Sequence, residues 1–391
     1  MRSLVYCSIC LTLLNLASCA EGGTTEWCEI AGDAAVQVEI IPGQELPAPT
    51  AELVPVWRLD ALEDGHELVT PSAVAADPLN QRLAIGDFAL RDVLVISLDG
   101  EWSARWGQRG QGPGELGIVL AARWTADGTL AVYDPMNAKI VHLAEEEDGR
   151  VPDEPMDRTF SANMTAVGWA YLDPDHRVVA QLAPRMVNGG TSTFRVLRGG
   201  KPEAPVDTLL SVSLPAHESP GHLPIPIPGW ALPLAASSGR GDLVLAGDTQ
   251  EYRFQVLDPG GVPVALFCRP DASVGAPVAL DTFPEATEIP GLLEAFHHAR
   301  PDRPAAIGHV RFDGNDRLWI QHEGPSPFGT LDRIVGREGA LYDVYDEAFQ
   351  PWAVVRMPQN VRMLNAIGDL VIGLEKGEFD ELSVVAYELI R

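Results

Sequence analysis

Positively charged residues are scarce in this sequence of 391 residues. Lysine and arginine together number 28, against 55 aspartates and glutamates, and the formal net charge is −27. Binding to duplex nucleic acid requires clustered lysines and arginines that replace condensed counterions, and the sequence contains no such run. The composition therefore argues against a nucleic-acid partner and is typical of a protein with an acidic, well-solvated exterior.

Long apolar runs are almost absent as well. The longest, over residues 4–17, is too short to span a bilayer comfortably, and no second stretch reaches the length of a membrane helix. Because Arg2 precedes this stretch, it is typical of the signal peptide of an exported protein. Amphipathic helical patterns are equally rare, so a helical fold is not expected.

The end of the apolar stretch carries a lipidation motif. Residues 16–19 read Leu-Ala-Ser-Cys, which resembles the lipobox of bacterial lipoproteins. The resemblance implies cleavage before Cys19 and acylation of its thiol and its new amino group. Ala20, where an aspartate would signal retention, implies the outer membrane in a host with two membranes. We therefore expect a signal peptide over residues 1–18, a lipidated tether over 19–50, and membrane attachment through the lipid alone.

Cysteine is also rare, with five residues in the chain. Cys7 and Cys10 belong to the signal peptide, and Cys19 carries the lipid. Cys28 and Cys268 remain, in a compartment that permits disulfides. Nothing in the sequence fixes the distance between these two residues, so their pairing stays open.

Glycine (37) and proline (32) are abundant, which favours short strands joined by turns. A unit recurs along the chain: an apolar strand, a turn, a strand of Leu-x-Val type, a third strand, an Asp-Gly turn and a fourth strand. Each copy has the alternation of a four-stranded antiparallel meander. The copies are clearest over residues 72–107, 127–143, 173–197, 241–258, 313–346 and 368–389.

Six copies predict an all-β fold, a six-bladed β-propeller over residues 51–391 with four-stranded antiparallel blades. One such sheet cannot bury both of its faces, whereas sheets stacked around a ring bury them against their neighbours. The sixth copy ends after its third strand, and residues 53–60 have strand character without a blade of their own. We expect this N-terminal strand to complete the last blade and close the ring. Two proline-rich insertions, residues 209–233 and 269–305, are predicted to be long loops over one face.

The connector after the first copy carries a family resemblance. Residues 107–116 read GQRGQGPGEL, which resembles the Gly-x-x-Gly-x-Gly-Pro-Gly-Glu-Phe connector of bacterial NHL-like and TolB-like six-bladed propellers, with Leu116 in place of phenylalanine. The resemblance covers roughly residues 52–391 and implies the fold. Such propellers include binding proteins, scaffolds, lactonases and lyases, so it leaves the activity open. Glu115 follows the glycines where a nucleotide loop needs Lys-Ser/Thr, which favours an interblade turn.

Catalytic and metal-binding motifs are not evident. The sequence has no Gly-x-Ser-x-Gly nucleophile elbow. His217 and His222 lie five residues apart in a proline-rich segment, whereas a zinc protease needs two histidines four apart on one helix. Asp313-Gly-Asn-Asp lacks the glycine at the sixth position of a calcium loop and also lacks its distal glutamate. The segment fits a turn. The remaining histidines of the fifth-copy region are His297, His298, His309 and His322. We expect no metal and no cofactor.

A propeller's inner strands line a central channel, whose mouth is the default ligand site. Arg123 and His309, on the predicted inner strands of the second and fifth copies, are candidate channel residues. The favoured function is a noncatalytic cell-envelope binding or scaffolding lipoprotein, whose partner is an unknown envelope protein or small ligand. The alternative is an exported propeller enzyme, a lactonase-type hydrolase or a lyase with a metal in the central channel. Recurring tryptophans leave a third option, sugar binding at an aromatic mouth.

Overall fold

A computed structural model describes the main β-sheet region of the chain. The described residues are 36–39, 50–60, 68–77, 79–119, 121–125, 128–134, 136–144, 153–155, 177–179, 185–187, 191–199, 207–218, 224–226, 233–238, 243–248, 252–258, 262–269, 307–322, 339–377 and 381–391. The predicted signal peptide, Cys19, Cys28 and most of the predicted tether lie outside these ranges. Within them, no helical segment has the length and hydrophobicity of a membrane crossing.

The described part of the chain is all-β. Its strands are β1 (Val36–Glu39), β2 (Glu52–Leu59), β3 (Pro71–Asp77), β4 (Arg82–Asp87), β5 (Asp92–Ser97), β6 (Trp102–Trp106), β7 (Gln108–Arg109), β8 (Glu115–Leu116), β9 (Ala121–Trp124), β10 (Leu130–Asp134), β11 (Lys139–Leu143), β12 (Glu154–Pro155), β13 (Arg177–Val179), β14 (Arg185–Val187), β15 (Thr191–Gly199), β16 (Asp207–Glu218), β17 (Pro224–Pro226), β18 (Pro233–Ser237), β19 (Val244–Asp248), β20 (Tyr252–Leu257), β21 (Pro263–Arg269), β22 (Ile307–Phe312), β23 (Leu318–His322), β24 (Leu341–Tyr345), β25 (Pro351–Arg356), β26 (Val361–Ile367), β27 (Leu370–Lys376) and β28 (Leu382–Ile390).

Most of these strands belong to antiparallel sheets of four or five strands, numbered here in chain order. Sheet 1 contains β3–β6, sheet 2 contains β9–β12, sheet 3 contains β13–β17, sheet 4 contains β18–β21 with β1, sheet 5 contains β22–β25, and sheet 6 contains β26–β28 with β2. Apart from sheet 3, strands that follow one another in the chain lie side by side, as expected for hairpin-connected meanders. Strands β7 and β8 form a short parallel ladder within the connector.

The core consists of apolar clusters between consecutive sheets. Separate clusters join sheets 4 and 5, sheets 5 and 6, sheets 6 and 1, and sheets 1 and 2. Strand β4 illustrates the alternation, because Leu83 and Ile85 pack against sheet 6 while Ala84, between them, packs against sheet 2. The first strands also contact one another, β26 with β3, β3 with β9, and β18 with β22. Sheets 1, 2, 4, 5 and 6 therefore have a propeller arrangement, in which the innermost strands are β3, β9, β18, β22 and β26.

The predicted N-terminal strand is β2, which pairs antiparallel with β28 at the chain's end. Thr50 and Ala51, just before it, hydrogen bond to Val354 of sheet 5. Trp57 donates a hydrogen bond from its indole to the carbonyl oxygen of Leu98 in sheet 1, at 2.8 Å. Its ring packs on Gly100, whose φ of +89° and close contact with the indole leave no space for a side chain. One strand thus contacts three sheets.

Two strands lie where none was predicted. Strand β1, inside the predicted tether, pairs in parallel with β21 as the fifth strand of sheet 4. Strand β16 continues to Glu218, although the insertion over residues 209–233 was expected to be a loop. The reason is the alternation of apolar and hydroxyl residues along β16, which pairs with β15 as far as Pro215. The second insertion, residues 269–305, lies almost entirely outside the described residues.

Buried aspartates at the ends of second strands hold the chain that leads into the first strands. Asp134, with no exposed surface, accepts hydrogen bonds from the backbone amides of Gly117 and Ile118, before β9. It also accepts bonds from the backbone and side-chain amides of Asn137, in the next turn. Asp87 binds four backbone amides in the same manner in sheet 1. The Asp of the repeated Leu-x-Val-x-Asp pattern is therefore structural at these two positions.

Arg82 joins sheet 1 to sheet 2. Its Nε donates to Oδ2 of Asp77, and its Nη2 donates to the carbonyl oxygen of Gly128, both at 2.9 Å. The guanidinium lies over Trp124, 3.9 Å from the ring centroid, and Trp124 packs edge-on against Trp106. Cation–π contact and two hydrogen bonds therefore fix the orientation of neighbouring sheets.

Arg317 repeats this bridge between sheets 5 and 6. Its Nε donates to Oδ2 of Asp313 at 2.6 Å, and its Nη2 donates to the carbonyl oxygen of Gly368. Its guanidinium lies 4.5 Å from the ring centroid of Trp352. The glycine acceptor occupies the turn before the second strand of the following sheet in both bridges. The arginine at this point of the repeat is thus an interblade contact.

Asp77→Asn is expected to lower the free energy of unfolding by about 1–2 kcal/mol at neutral pH. Burial raises the pKa of Asp77, but hydrogen bonds from Asn80 and Arg82 outweigh it and hold the pKa below the ordinary value. A depressed carboxyl pKa stabilises the fold above about pH 4, and this contribution is lost as pH falls through the folded-state pKa. Urea unfolding of both proteins at pH 7 and pH 3 checks this, because the difference between them must shrink at pH 3.

Candidate functional site

The two predicted channel residues lie on first strands of different sheets. Arg123 is in β9 of sheet 2, where it pairs with Ala131, and it is half-buried. His309 is in β22 of sheet 5, at the register irregularity between Ile307 and Val310. Both positions are therefore on the inner side of the propeller, but no described contact brings the two residues together.

A second arginine occupies the position in sheet 5 that Arg123 occupies in sheet 2. Trp124 pairs with Leu130, the first residue of its second strand, and Phe312 pairs with Leu318 in the same way. Arg123 and Arg311 each precede these residues by one. Because side chains alternate along a strand, Arg311 lies on the opposite face of β22 from Phe312, which packs toward sheet 4. The side chain of Arg311 is therefore directed toward sheet 6.

The guanidinium of Arg311 has buried donors without acceptors. Its Nε and Nη1 are enclosed by protein, and neither has a hydrogen-bond partner. Burial, together with the positive charge of Arg362, lowers the pKa of Arg311 to about 10, against the opposing effects of Tyr342 and Asp313. An arginine with unmet donors in a protein interior is costly, so its retention calls for a physical reason.

Arg362 and Tyr342 surround Arg311 from sheets 6 and 5, and the three residues are called the arginine cluster below. Nη2 of Arg362 is 3.4 Å from the carbonyl oxygen of Pro71, on the first strand of sheet 1. Burial lowers the pKa of Arg362. The hydroxyl of Tyr342 is 3.1 Å from Oε1 of Gln321 and donates to it. Burial raises the pKa of Tyr342 to about 12, so the phenol is neutral at physiological pH.

Asp313, a negative charge that acts on Arg311, is already engaged elsewhere. Asp313 uses Oδ2 to accept hydrogen bonds from Arg317 and from the indole of Trp319, at 2.6 and 2.8 Å. Its Oδ1 accepts bonds from the backbone amides of Asn315 and Arg317. Burial raises the pKa of Asp313, against the opposing effect of Arg317. No described ion pair joins a carboxylate to Arg311 or Arg362.

Other motifs have structural positions. Asp313-Gly-Asn-Asp is a turn, because all of the contacts that Asp313 accepts come from nitrogen donors within sheet 5 or its bridge. In the described ranges, no three His, Cys, Asp or Glu side chains are grouped to hold a metal ion. His217 lies in strand β16, and His297 and His298 are outside the described residues.

The glycine-rich connector is bonded internally. The amide of Gly112 donates to Oε2 of Glu115 at 2.8 Å, and Lys139 donates to the carbonyl oxygen of Gly112 at 2.6 Å and to Asp153 at 2.8 Å. Asn137 donates to the carbonyl oxygen of Gly110. Because Glu115 accepts from the amide of Gly112 and Asp153 accepts from the amide of Gly114, the connector has the interblade-turn structure that was expected and not the open amides of a phosphate cradle.

Arg311 and Arg362 were missed by the sequence interpretation. The sequence does contain a partial indication of Arg311, because this residue lies between Val310 and Phe312 in a strand that was predicted to be an inner one. Charge at such a position is unusual, since lysine and arginine are rarely buried without a partner. The convergence of Arg362 from another sheet has no counterpart in the local pattern. It depends on how two sheets pack.

Comparison with known proteins identifies the fold only. No family model matches the chain, and no curated protein matches it. A crystal structure of a DUF4221 family member from Bacteroides vulgatus is similar, with a TM-score of 0.51 and 10% sequence identity, covering 87% of this chain and 98% of that one.

Two further structures are more distant. A Bacteroides fragilis protein described as exported has a TM-score of 0.46 and 10% identity, over 89% of this chain and 98% of its own. The calcium-binding protein regucalcin from Agrobacterium tumefaciens has a TM-score of 0.39 and 11% identity, over 83% and 92%. At 10% identity, the likeness to the DUF4221 member shows that the two chains share a fold.

Proposed function

We propose that this chain is a noncatalytic, lipid-anchored binding protein of the cell envelope, whose six sheets are the blades of one closed propeller. The observation that carries the binding function is the arginine cluster, where Nε and Nη1 of Arg311, on an inner strand, are enclosed by protein and have no hydrogen-bond partner. Donors held in place by two packed sheets suit recognition of a ligand, because their orientation is set before binding.

Ring closure is supported by the contacts of β2. This strand pairs with β28, and Trp57 reaches Leu98 of sheet 1. Closure in this way also pairs the edge of β28, which would otherwise be exposed. The lipobox supports the anchor through Cys19, and Ala20 supports delivery to the outer membrane. The partner at the binding site is then a small ligand or a segment of another envelope protein.

Cys19→Ala is expected to abolish lipidation and release the protein from the membrane fraction. The reason is that only a thiol at the cleavage site can carry the thioether-linked lipid. Metabolic labelling with an alkyne fatty acid, followed by fractionation, measures both effects. Cys28→Ala is the matched control, because it removes a thiol from the same segment and leaves labelling unchanged. Persistence of the Cys19→Ala protein in the membrane fraction with its label would refute the anchor.

The binding function is tested by purifying the lipidated protein from its native envelope and releasing bound small molecules by denaturation. Mass spectrometry is expected to find a compound that accompanies the wild-type protein and is depleted from Arg311→Gln. Elemental analysis of the same material distinguishes the enzyme alternative. Stoichiometric calcium or zinc would contradict a noncatalytic role and favour a propeller enzyme with a metal in its channel.

A further inference from the structure

The charged side chains of the arginine cluster, Arg311 and Arg362, are both positive. Burial lowers the pKa of both Arg311 and Arg362, and the positive charge of Arg362 also lowers the pKa of Arg311. Tyr342 supplies no compensating anion, since its phenol stays protonated and donates to Gln321. Asp313 is held by Arg317 and Trp319. A negative group placed beside Nε and Nη1 of Arg311 would therefore be stabilised.

We propose that Arg311 and Arg362 bind the oxyanion group of a small ligand, a carboxylate or a phosphate, at the inner strands of sheets 5 and 6. This assignment deepens the binding function proposed above and rests on it. Arginine suits the role because its planar guanidinium presents several N–H donors to an oxyanion and keeps its charge when buried. Nε and Nη1 of Arg311, both without acceptors, are the donors that the oxyanion engages.

The surroundings favour a compact ligand over an extended polyanion. Trp319 is fully buried beside the cluster and packs edge-on against Tyr342, with ring centroids 6.0 Å apart. The wall next to the two arginines is therefore aromatic and apolar, and suits a small organic acid whose carbon chain lies against it. The net charge of −27 disfavours approach of a large polyanion but has little effect once a small anion is inside the propeller.

Inorganic phosphate and succinate are the probes. The lipidated chain in detergent is titrated with each by isothermal titration calorimetry, with chloride used to keep the ionic strength constant. We expect saturable binding of at least one probe, and which one binds distinguishes a phosphate from a carboxylate ligand. Arg311→Gln is expected to weaken that binding by about 100-fold or more, because it removes one partner of a buried charged contact. Arg362→Gln is expected to act in the same direction.

Two variants make the result specific. Arg109→Gln removes an exposed arginine from the connector and is expected to leave the affinity unchanged. Arg311→Lys keeps the charge but loses the planar donor set, and an affinity between those of wild type and Arg311→Gln is expected. Arg311→Gln also unfolds at the same temperature as the wild type or higher when no anion is added, since a buried charge without a partner is removed. Loss of binding is thereby separated from loss of fold.

The proposal is overturned if neither probe binds more strongly than chloride, or if Arg311→Gln binds as tightly as the wild type. Recovery of an uncharged compound from the native protein would overturn the anion class while leaving the binding function intact. Recovery of no compound together with no probe binding would remove both proposals.

Discussion

Removing residues 1–60, and with them strand β2, is expected to destabilise the propeller by on the order of 5 kcal/mol, comparable to the whole stability of a typical domain. Leu53 and Trp57 pack on the clusters that join sheet 6 to sheets 5 and 1. Arg58 donates to Ser383 at 2.9 Å and also contacts Glu375. Without β2, the nine-residue strand β28 becomes an exposed edge that invites aggregation.

The matched control is a chain that begins at residue 50, which keeps β2 and the hydrogen bonds from Thr50 and Ala51 to sheet 5. Urea unfolding and light scattering compare the two shortened chains. A synthetic peptide of residues 50–60, added to the chain that begins at residue 61, is expected to restore the midpoint and suppress scattering. Equal midpoints for the two chains, with no effect of the peptide, would contradict ring closure by this strand.

The repeated sheets were predictable from local sequence. In sheet 1, the alternation of Leu83, Ala84 and Ile85 predicts a strand with two buried faces, and those residues pack against different neighbouring sheets. The strand predicted over residues 53–60 is β2, and its pairing with the last strand follows from a count of strands per copy. Such features need only period-two alternation and turn residues, which a sequence displays directly.

Strand β1 shows what local sequence omits. Val36–Glu39 has only four residues, too few for alternation to stand out, and its partner β21 is more than two hundred residues away in the chain. Nothing within residues 36–39 encodes that partner. The long strand β16 was hidden for another reason, because the prolines around it favoured a loop although Pro215 lies at the end of the pairing with β15.

The candidate site, like the fold, was predictable from the sequence only in part. Arg123 and His309 were proposed because each places a chemically active side chain on a predicted inner strand. Arg311 satisfies the same criterion and was passed over, whereas Arg362 becomes relevant only when sheet 6 packs beside sheet 5. The lack of an acceptor for Nε and Nη1 of Arg311 is likewise not visible in the sequence, since Asp313 is two residues away and yet binds Arg317.

Asp134→Ala is expected to lower the free energy of unfolding by about 4 kcal/mol, near the upper limit for single substitutions. The substitution leaves the backbone amides of Gly117, Ile118 and Asn137 without the acceptor that they share. Each buried donor left unmet costs about 1–3 kcal/mol, and the enclosed carboxylate leaves little room for water to replace it. Asp87→Ala is expected to behave alike, because Asp87 binds the amides before β3.

Asp346→Ala is the matched control for the Asp134 variant. Asp346 also accepts two backbone amide bonds in a turn, from Ala348 and Gln350, but it lies at the surface. Water replaces the carboxylate there, so a loss of about 1 kcal/mol or less is expected. Urea unfolding of the three variants measures the difference. Similar losses for Asp134→Ala and Asp346→Ala would show that burial of the carboxylate does not set its contribution. A large loss confined to Asp134 and Asp87 means that these aspartates hold the chain entering β3 and β9, and hence the strand on which Arg123 lies.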